Sequence, residues 1–340
     1  ISDIVIFSIE FGIKFCMNIM DKAQIHYLID KGREYEKVIN LPRAADLYAQ
    51  AWTAVQKYSL DQEIYHLRAL ILINQANVLR KTKQFKESEL KYQSAWEIHQ
   101  NFLMHRTDLN IERLGILINH GTNFDNLRLF DKAIDKYQSA QTLYENFLAK
   151  HDDLQNLYCI LLSNQATTFR KVKRLTEAER KHRLACAIYE KCLITGHGEY
   201  SDYAAIIMEY ALTLEYLKHY SDADDKYQKA WEIHEKYLMD RDDLNQIRAT
   251  LLNNHARNLV SMSFFEKAHQ KFQILWDIHD KYLMHIKSLD ETRANILTRH
   301  ASVLEKLDNL NIADEKYQNA WIIHQNHLID REELHKTRAV

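Results

Sequence analysis

One stretch of sequence recurs along the chain at a fixed spacing of 45 residues, with copies as similar as KYQSAWEIHQNFL and KYQKAWEIHEKYL. The copies begin at Lys91, Lys136, Lys181, Lys226, Lys271 and Lys316, and a more divergent copy places Trp52 44 residues before Trp96. A chain built this way folds as a stack of equivalent units, because one unit cannot bury its apolar face alone.

Each period contains two helical patterns. In the copy that covers about residues 109–150, apolar residues recur three or four positions apart, as at Leu114, Leu117 and Ile118. The whole chain has one Pro and six Gly, too few for an architecture of strands and tight turns. Polar clusters such as Thr107-Asp108 and Asp242-Asp243 precede the first helix and are expected to cap it. The sequence therefore predicts an all-α chain of helix hairpins.

Small and aromatic residues recur inside both helices of the period. The first helix carries Ala76, Gly121, Ala166, Ala211, Ala256 and Ala301. The second carries Ser88, Ala133, Ala178, Ala223, Ala268 and Ala313, each followed four residues later by Tyr92, Tyr137, His182, Tyr227, Phe272 or Tyr317. These columns resemble the tetratricopeptide repeat, and the lengthened period with the segment LLNNHARNL is similar to the repeats of kinesin light chain. The resemblance implies an α-solenoid of stacked antiparallel hairpins that forms a curved superhelix.

The repeat pattern divides the chain into three parts. Residues 21–333 are predicted to form seven hairpins, and residues 334–340 match the start of a truncated further repeat. Residues 1–20 lie outside the pattern. They are interpreted either as non-native sequence ahead of a natural start at Met17 or Met20, or as a short docked helix or strand.

A column of amides marks the predicted binding face. The resemblance implies that the first helices line a groove that holds an extended peptide or a partner helix. The column consists of Asn74, Asn119, Asn164 and Asn254, with Glu209 and Arg299 in the two other copies. In a helix interior Asn is less favourable than Ala by about 0.5–0.7 kcal/mol of helix propensity, so its recurrence at this position indicates a structural or binding role. An amide donates and accepts, so the column is predicted either to hold a peptide backbone or to tie neighbouring repeats together.

Further polar and basic residues surround that column. They are Asn77, Lys81, Asn126, Arg170, Lys171, Arg257 and Lys306. This locally basic set favours an acidic peptide partner, and the alternative is that the charges form an ordinary solvated surface.

Two other columns recur at the same period. His99, His234, His279 and His324 each follow a tryptophan by three residues. Equivalent positions on stacked hairpins lie about 8–10 Å apart, too far to share one metal ion, so packing or surface roles are expected. The tryptophans themselves (Trp52, Trp96, Trp231, Trp276 and Trp321) are expected in the core rather than in a ligand cage.

Composition narrows the function. Lys plus Arg is 45 and Asp plus Glu is 47, without the basic excess typical of a nucleic-acid binder. The four cysteines form no CxxC pair, and no apolar run is long enough to span a membrane. No catalytic or nucleotide-binding motif appears, so no enzyme activity, cofactor or metal is expected, and a cytoplasmic location is predicted.

These observations leave three hypotheses for the function. The leading one is a protein-protein interaction scaffold that binds a protein or peptide partner in the groove. The alternatives are a peptide-gated regulatory module of a larger signalling protein and a structural spacer that self-associates end to end.

Overall fold

The computed structural model describes residues 22–325, and every structural statement below concerns that part of the chain. The predicted non-repeat segment 1–20 and the predicted truncated repeat 334–340 lie outside it. Within the described residues there are fourteen α-helices and no strand, which confirms the predicted all-α class.

The helices follow one another with short connections. Their bounds are α1 (22–37), α2 (Leu41–Val55), α3 (Gln62–Lys81), α4 (Phe85–Ile98), α5 (Asn110–Asn126), α6 (Phe130–Leu143), α7 (Gln155–Lys171), α8 (Leu175–Ile194), α9 (Tyr200–Tyr216), α10 (Tyr220–Ile233), α11 (Asn245–Ser261), α12 (Phe265–Ile278), α13 (Asp290–Lys306) and α14 (Leu310–Ile323).

The chain divides into two compact units, Ile1–Leu154 and Gln155–Val340. The first contains helices α1–α6 as three hairpins, and the second contains α7–α14 as four. Inside each unit the two helices of a hairpin pack together, and the second helix of one hairpin packs on the first helix of the next. The predicted solenoid of antiparallel hairpins is therefore confirmed.

Each hairpin is closed by a large ring packed on a small residue. Tyr92, Tyr137 and Tyr227 are at most 1% exposed, and the small residues opposite them are fully buried or nearly so. At Gly121 the approach is closest, since a Cβ atom built there would stand 2.7 Å from the ring of Tyr137. The recurring small residues thus let the two helix axes come together where the aromatic ring fills the gap.

The turn inside every hairpin adopts the left-handed conformation without using glycine. The residues concerned are Ile39, Lys83, Arg128, Lys173, Lys218, Ser263 and Asp308, with φ between 59° and 65°. The residue that follows each of them donates its amide to a carbonyl five positions earlier, as Gln84 does to Leu79 at 2.8 Å. This hydrogen bond is the one that closes a helix end in the Schellman motif. It stabilises the left-handed conformation at a residue with a side chain, where glycine is usually favoured.

The lengthened period is used at the end of the second helix, where α8 continues as α-helix to Ile194 and four other second helices change to a different turn. A π-helical turn follows at His99–Leu103, Tyr144–Leu148, His234–Leu238 and His279–Leu283. A 3₁₀ turn then leads into the next hairpin, as at Thr107–Leu109. Asp108 in that turn binds the side chain of Arg106, and α5 has no side-chain cap, so the capping role expected for Thr107-Asp108 was wrong.

Candidate peptide-binding face

In the first unit, two asparagines of the predicted column lie on the first helices of consecutive hairpins. Asn74 on α3 is 5% exposed, and its Nδ2 atom is buried with no partner among residues 22–325. Asn119 on α5 is half-buried and likewise makes no hydrogen bond to a described residue. A buried amide group without a partner costs free energy, and the half-buried amide of Asn119 keeps hydrogen-bonding capacity that a guest can reach.

Three more predicted site residues belong to the first unit. The hydroxyl of Tyr92 donates to Oδ1 of Asn77 at 2.5 Å. Asn126 is exposed at the end of α5. Lys81 is exposed, and its Nζ atom lies 2.7 Å from the carboxylate of Glu36 on the preceding hairpin. Asn77 and Lys81 therefore already serve contacts within the chain.

In the second unit the column is more varied. Asn254 on α11 is half-buried and has no hydrogen bond within the described part, whereas the half-buried Asn164 on α7 takes part in an interaction inside the chain. Glu209 occupies the equivalent position on α9, where its carboxylate accepts from Arg170 at 2.6 Å and from Thr167 at 3.1 Å. Arg299 is exposed at the equivalent position on α13.

The basic residues of the predicted face are largely paired. Arg170 binds Glu209 as described, and Arg257 binds both carboxylate oxygens of Glu215 at 2.8 and 3.0 Å. The hydrogen bonds to Glu215 raise the pKa of Arg257. Lys171 also interacts within the chain, and Lys306 is exposed. An acidic guest would have to displace internal carboxylates from Arg170 and Arg257, and the preference for an acidic partner stays a prediction.

Comparison with known proteins gives the fold a context. No protein-family model matches the sequence, and no curated protein is similar to it in sequence. Among solved structures, the chain is similar to the apo form of RapI, with a TM-score of 0.59 and 15% identity over 88% of this chain and 97% of that one. The fold is that of a tetratricopeptide-repeat array.

Two further structures are similar to this tetratricopeptide-like array. The TPR-like repeats of a putative kinesin light chain from Podosopora anserina match with a TM-score of 0.50 and 15% identity, over 62% of this chain and 95% of that one. A Rap protein complexed with competence and sporulation factor matches with a TM-score of 0.51 and 12% identity, over 90% of this chain and 99% of that one. At these identities the likeness shows the fold alone.

A column of buried arginines closes the lengthened repeats of the array. Arg113 donates to the carbonyl of Leu103 and to Asn110, and Arg293 donates to the carbonyl of Leu283 at 3.0 Å and to Asp290. Arg248 does the same with the carbonyls of Leu238, Met239 and Arg241 and with Asn245. This role of the arginines was not predicted, although Arg248 and Arg293 stand 45 residues apart in the sequence, which is the signal that marks them.

The histidine column packs inside the array. His99, His234 and His279 are at most 2% exposed, and His324 is half-buried. His99 and the half-buried His66 each contact one oxygen of Glu112, at 2.8 and 2.9 Å. Among the residues that the structure describes, no group of three or more His, Cys, Asp or Glu side chains is arranged to hold a metal ion.

The tryptophan column takes part in packing between repeats. Lys91, Lys136 and Lys271 lie over the rings of Trp52, Trp96 and Trp231 at 5.8, 5.6 and 5.9 Å from the ring centres. Trp231 is buried, and Trp321 is 55% exposed. Each lysine comes from the hairpin after the one that supplies the tryptophan, so the pairs link neighbouring repeats.

No helix in the described part of the chain combines the length and the apolar character that crossing a membrane requires.

Proposed function

We propose that the chain is a protein-interaction module that binds an extended peptide segment or a helix of a protein partner along its asparagine-bearing first helices. The observation that carries this proposal is the half-buried amide of Asn119, which has no hydrogen bond to a described residue. Asn74, one repeat earlier, is buried, and its Nδ2 also has no partner among the described residues. Amides placed at the repeat period suit a peptide backbone, which presents donors and acceptors at regular intervals whatever its side chains.

The fold supports the same proposal. A stack of hairpins offers a long surface of equivalent helices, which is how repeat proteins engage extended partners. One structurally similar protein, the Rap protein named above, was solved complexed with competence and sporulation factor. We extend that behaviour to this chain as a hypothesis about its class of ligand, and we assign no catalytic step to it.

The test is a selection of peptides from a randomised display library on the full chain, followed by affinity measurements on the selected peptides. Replacing Asn74 and Asn119 together by Ala is expected to weaken binding at least about 5-fold, because each of the two lost hydrogen bonds contributes roughly 0.5–1.5 kcal/mol. The helical signal and the thermal midpoint should be retained, since Ala favours a helix more than Asn does.

The matched control is Gln62→Ala, which removes an exposed amide from the first turn of α3. It should leave the affinity unchanged. If the double variant binds the selected peptides as tightly as the unaltered chain, the role proposed for the asparagines is rejected.

A reducing compartment such as the cytoplasm is part of the proposal. Among the described residues, Cys159, Cys186 and Cys192 are buried and form no disulfide. Burial raises the pKa of the Cys186 thiol to about 12, which keeps it protonated and unreactive. Labelling of the folded chain with a thiol reagent should therefore be slow at these three residues and rapid after unfolding.

A further inference from the structure

Two equivalent grooves lie between second helices of the first unit, at positions related by the repeat. The Trp52 groove has a volume of about 540 Å³ and is lined by Trp52, Arg68, Leu72, Lys91, Ile98 and Phe102, among others. The Trp96 groove has a volume of about 690 Å³, with Trp96, Arg113, Leu117, Leu143 and Phe147 in equivalent places. Both volumes lie in the range of sites that bind ligand groups or side chains.

These grooves are separate from the face that carries the asparagines. A helix turns about 100° per residue, so Arg68 and Leu72 fall on one side of α3. Asn74 and Lys81 fall on the opposite side of the same helix. Ligands of the two surfaces therefore do not compete for the same side chains.

The arginine distinguishes the two grooves. Arg113 is held by the carbonyl of Leu103 and by Asn110. The equivalent Arg68 has no such cage, because α2 ends at Val55 without a π-helical turn before α3 begins. Asn110 stands three residues before Arg113, and the equivalent residue before Arg68 is Tyr65. The ring of Tyr65 stacks on the ring of Phe102 at a centre-to-centre distance of 3.8 Å and offers Arg68 no amide.

Arg68 consequently has unused hydrogen-bonding capacity. It makes no hydrogen bond or ion pair with any of the residues 22–325, and its Nε atom is buried without a partner. Arg248 and Arg293, at equivalent positions in the second unit, are both bound to carbonyl oxygens. A half-buried guanidinium with a free fork of donors favours a planar carboxylate, which accepts two parallel hydrogen bonds.

The charged residues that line the two grooves also favour a carboxylate in the Trp52 groove. Lys91 lies over the ring of Trp52. Glu97 is the one carboxylate among the described residues that line the Trp52 groove, and it is exposed and accepts a hydrogen bond from Gln93 at 2.9 Å. In the Trp96 groove the arginine is already bound and Asp135 replaces Leu90. The first groove is therefore electropositive over an apolar floor, and the second is not.

We propose that the Trp52 groove is a second docking site, which binds an acidic side chain of a protein partner. The carboxylate of an Asp or Glu residue pairs with Arg68 in a bidentate arrangement, and an apolar neighbour of that residue packs on Trp52 and Leu72. The Trp96 groove, with the same floor and a satisfied arginine, does not select for acid.

The test compares peptide enrichment from a randomised display library on the full chain and on its Arg68→Gln variant. Asp- and Glu-containing peptides with an adjacent apolar residue should be enriched on the unaltered chain and depleted on the variant. Their measured affinity should fall at least about 10-fold on Arg68→Gln, because hydrogen bonds to charged groups are among the stronger ones. Arg68→Lys should retain part of the affinity, since the charge remains and the fork is lost.

Asp135→Asn, in the Trp96 groove, is the matched control and should leave the enrichment unchanged. The inference is overturned if the enriched peptides carry no acidic excess, or if the acidic excess persists on Arg68→Gln. The proposed function is judged separately by the Asn74→Ala, Asn119→Ala variant. Peptides lost on that variant but retained on Arg68→Gln belong to the asparagine face, and those with the reverse behaviour belong to the Trp52 groove.

Discussion

At the scale of single residues, the most informative feature is a set of polar side chains buried on the first helices at the repeat period, among them His120, His255 and His300. His120 is fully buried, its ring lies 4.4 Å from that of Phe124, and neither of its nitrogens has a partner among the described residues. Burial, with a smaller contribution from Lys136 and Lys132, lowers the pKa of His120 to about 3. The folded chain therefore holds this imidazole neutral.

This arrangement predicts a specific dependence of stability on pH. An unfolded histidine takes up a proton near pH 6.5, whereas folded His120 does so only near pH 3. Its contribution to the free energy of unfolding is therefore complete above pH 6.5 and is lost as the pH falls towards 3. The variant His120→Gln carries the residue found at the equivalent positions Gln75 and Gln165. Below pH 6.5 its free energy of unfolding should fall less steeply with decreasing pH than that of the unaltered chain, by up to about 1.4 kcal/mol per pH unit.

Urea unfolding at pH 7, 6, 5 and 4.5 measures that slope. His105→Gln, at an exposed histidine, is the control and should change it little. An identical slope for His120→Gln and the unaltered chain would contradict the assignment.

At the scale of the element, the hairpin depends on close approach at one point of each first helix. Helix α5 contains two glycines with opposite surroundings. A Cβ atom at Gly121 would stand 2.7 Å from the ring of Tyr137, whereas a Cβ atom at Gly115 would meet nothing within 4 Å. Replacing each glycine by Ala therefore distinguishes the effect of packing on stability, at Gly121, from the effect of helix propensity alone, at Gly115.

We expect Gly121→Ala to lower the free energy of unfolding by about 1–2 kcal/mol, because overpacking at the tyrosine exceeds the gain in helix propensity. Gly115→Ala should raise it by up to about 1 kcal/mol, because only the propensity changes. Chemical denaturation of both variants gives the comparison. If Gly121→Ala instead stabilised the chain, Tyr137 would have to move aside at little cost. The aromatic rings opposite the alanines at equivalent positions already leave room for a Cβ atom.

At the scale of the whole molecule, neighbouring repeats within each unit are joined by charge pairs between hairpins. Lys81 binds Glu36 in the first unit, and Arg257 binds Glu215 in the second. Glu215 also accepts a hydrogen bond from Tyr227 at 3.0 Å, so this carboxylate connects both helices of its own hairpin to the next one. Such contacts couple repeats that would otherwise unfold separately.

Arg257→Met should therefore lower the free energy of unfolding by about 1 kcal/mol, since it leaves the largely buried Glu215 without its charged partner. Amide hydrogen exchange should accelerate in α9 and α11 in particular. Arg241→Met removes an exposed pair with Asp243 and should cost no more than about 0.5 kcal/mol. Equal effects of the two substitutions would show that the Arg257 pair has no special role in coupling.

The class of fold and the hairpin unit were determined by the sequence itself, because small and aromatic residues at fixed offsets act within one hairpin or between adjacent ones. The asparagine column could be located in the same way, although whether its amides bind a guest stays a prediction. The tertiary structure alone decided which polar groups are satisfied. Lys81 and Arg257 are paired with carboxylates about 40 residues away, and Arg113 is caged while Arg68 is not. These partners come from parts of the chain that are far apart in sequence, so only the folded structure shows which of them meet. A repeated sequence pattern predicts the same contacts for every equivalent residue and therefore cannot distinguish Arg113 from Arg68.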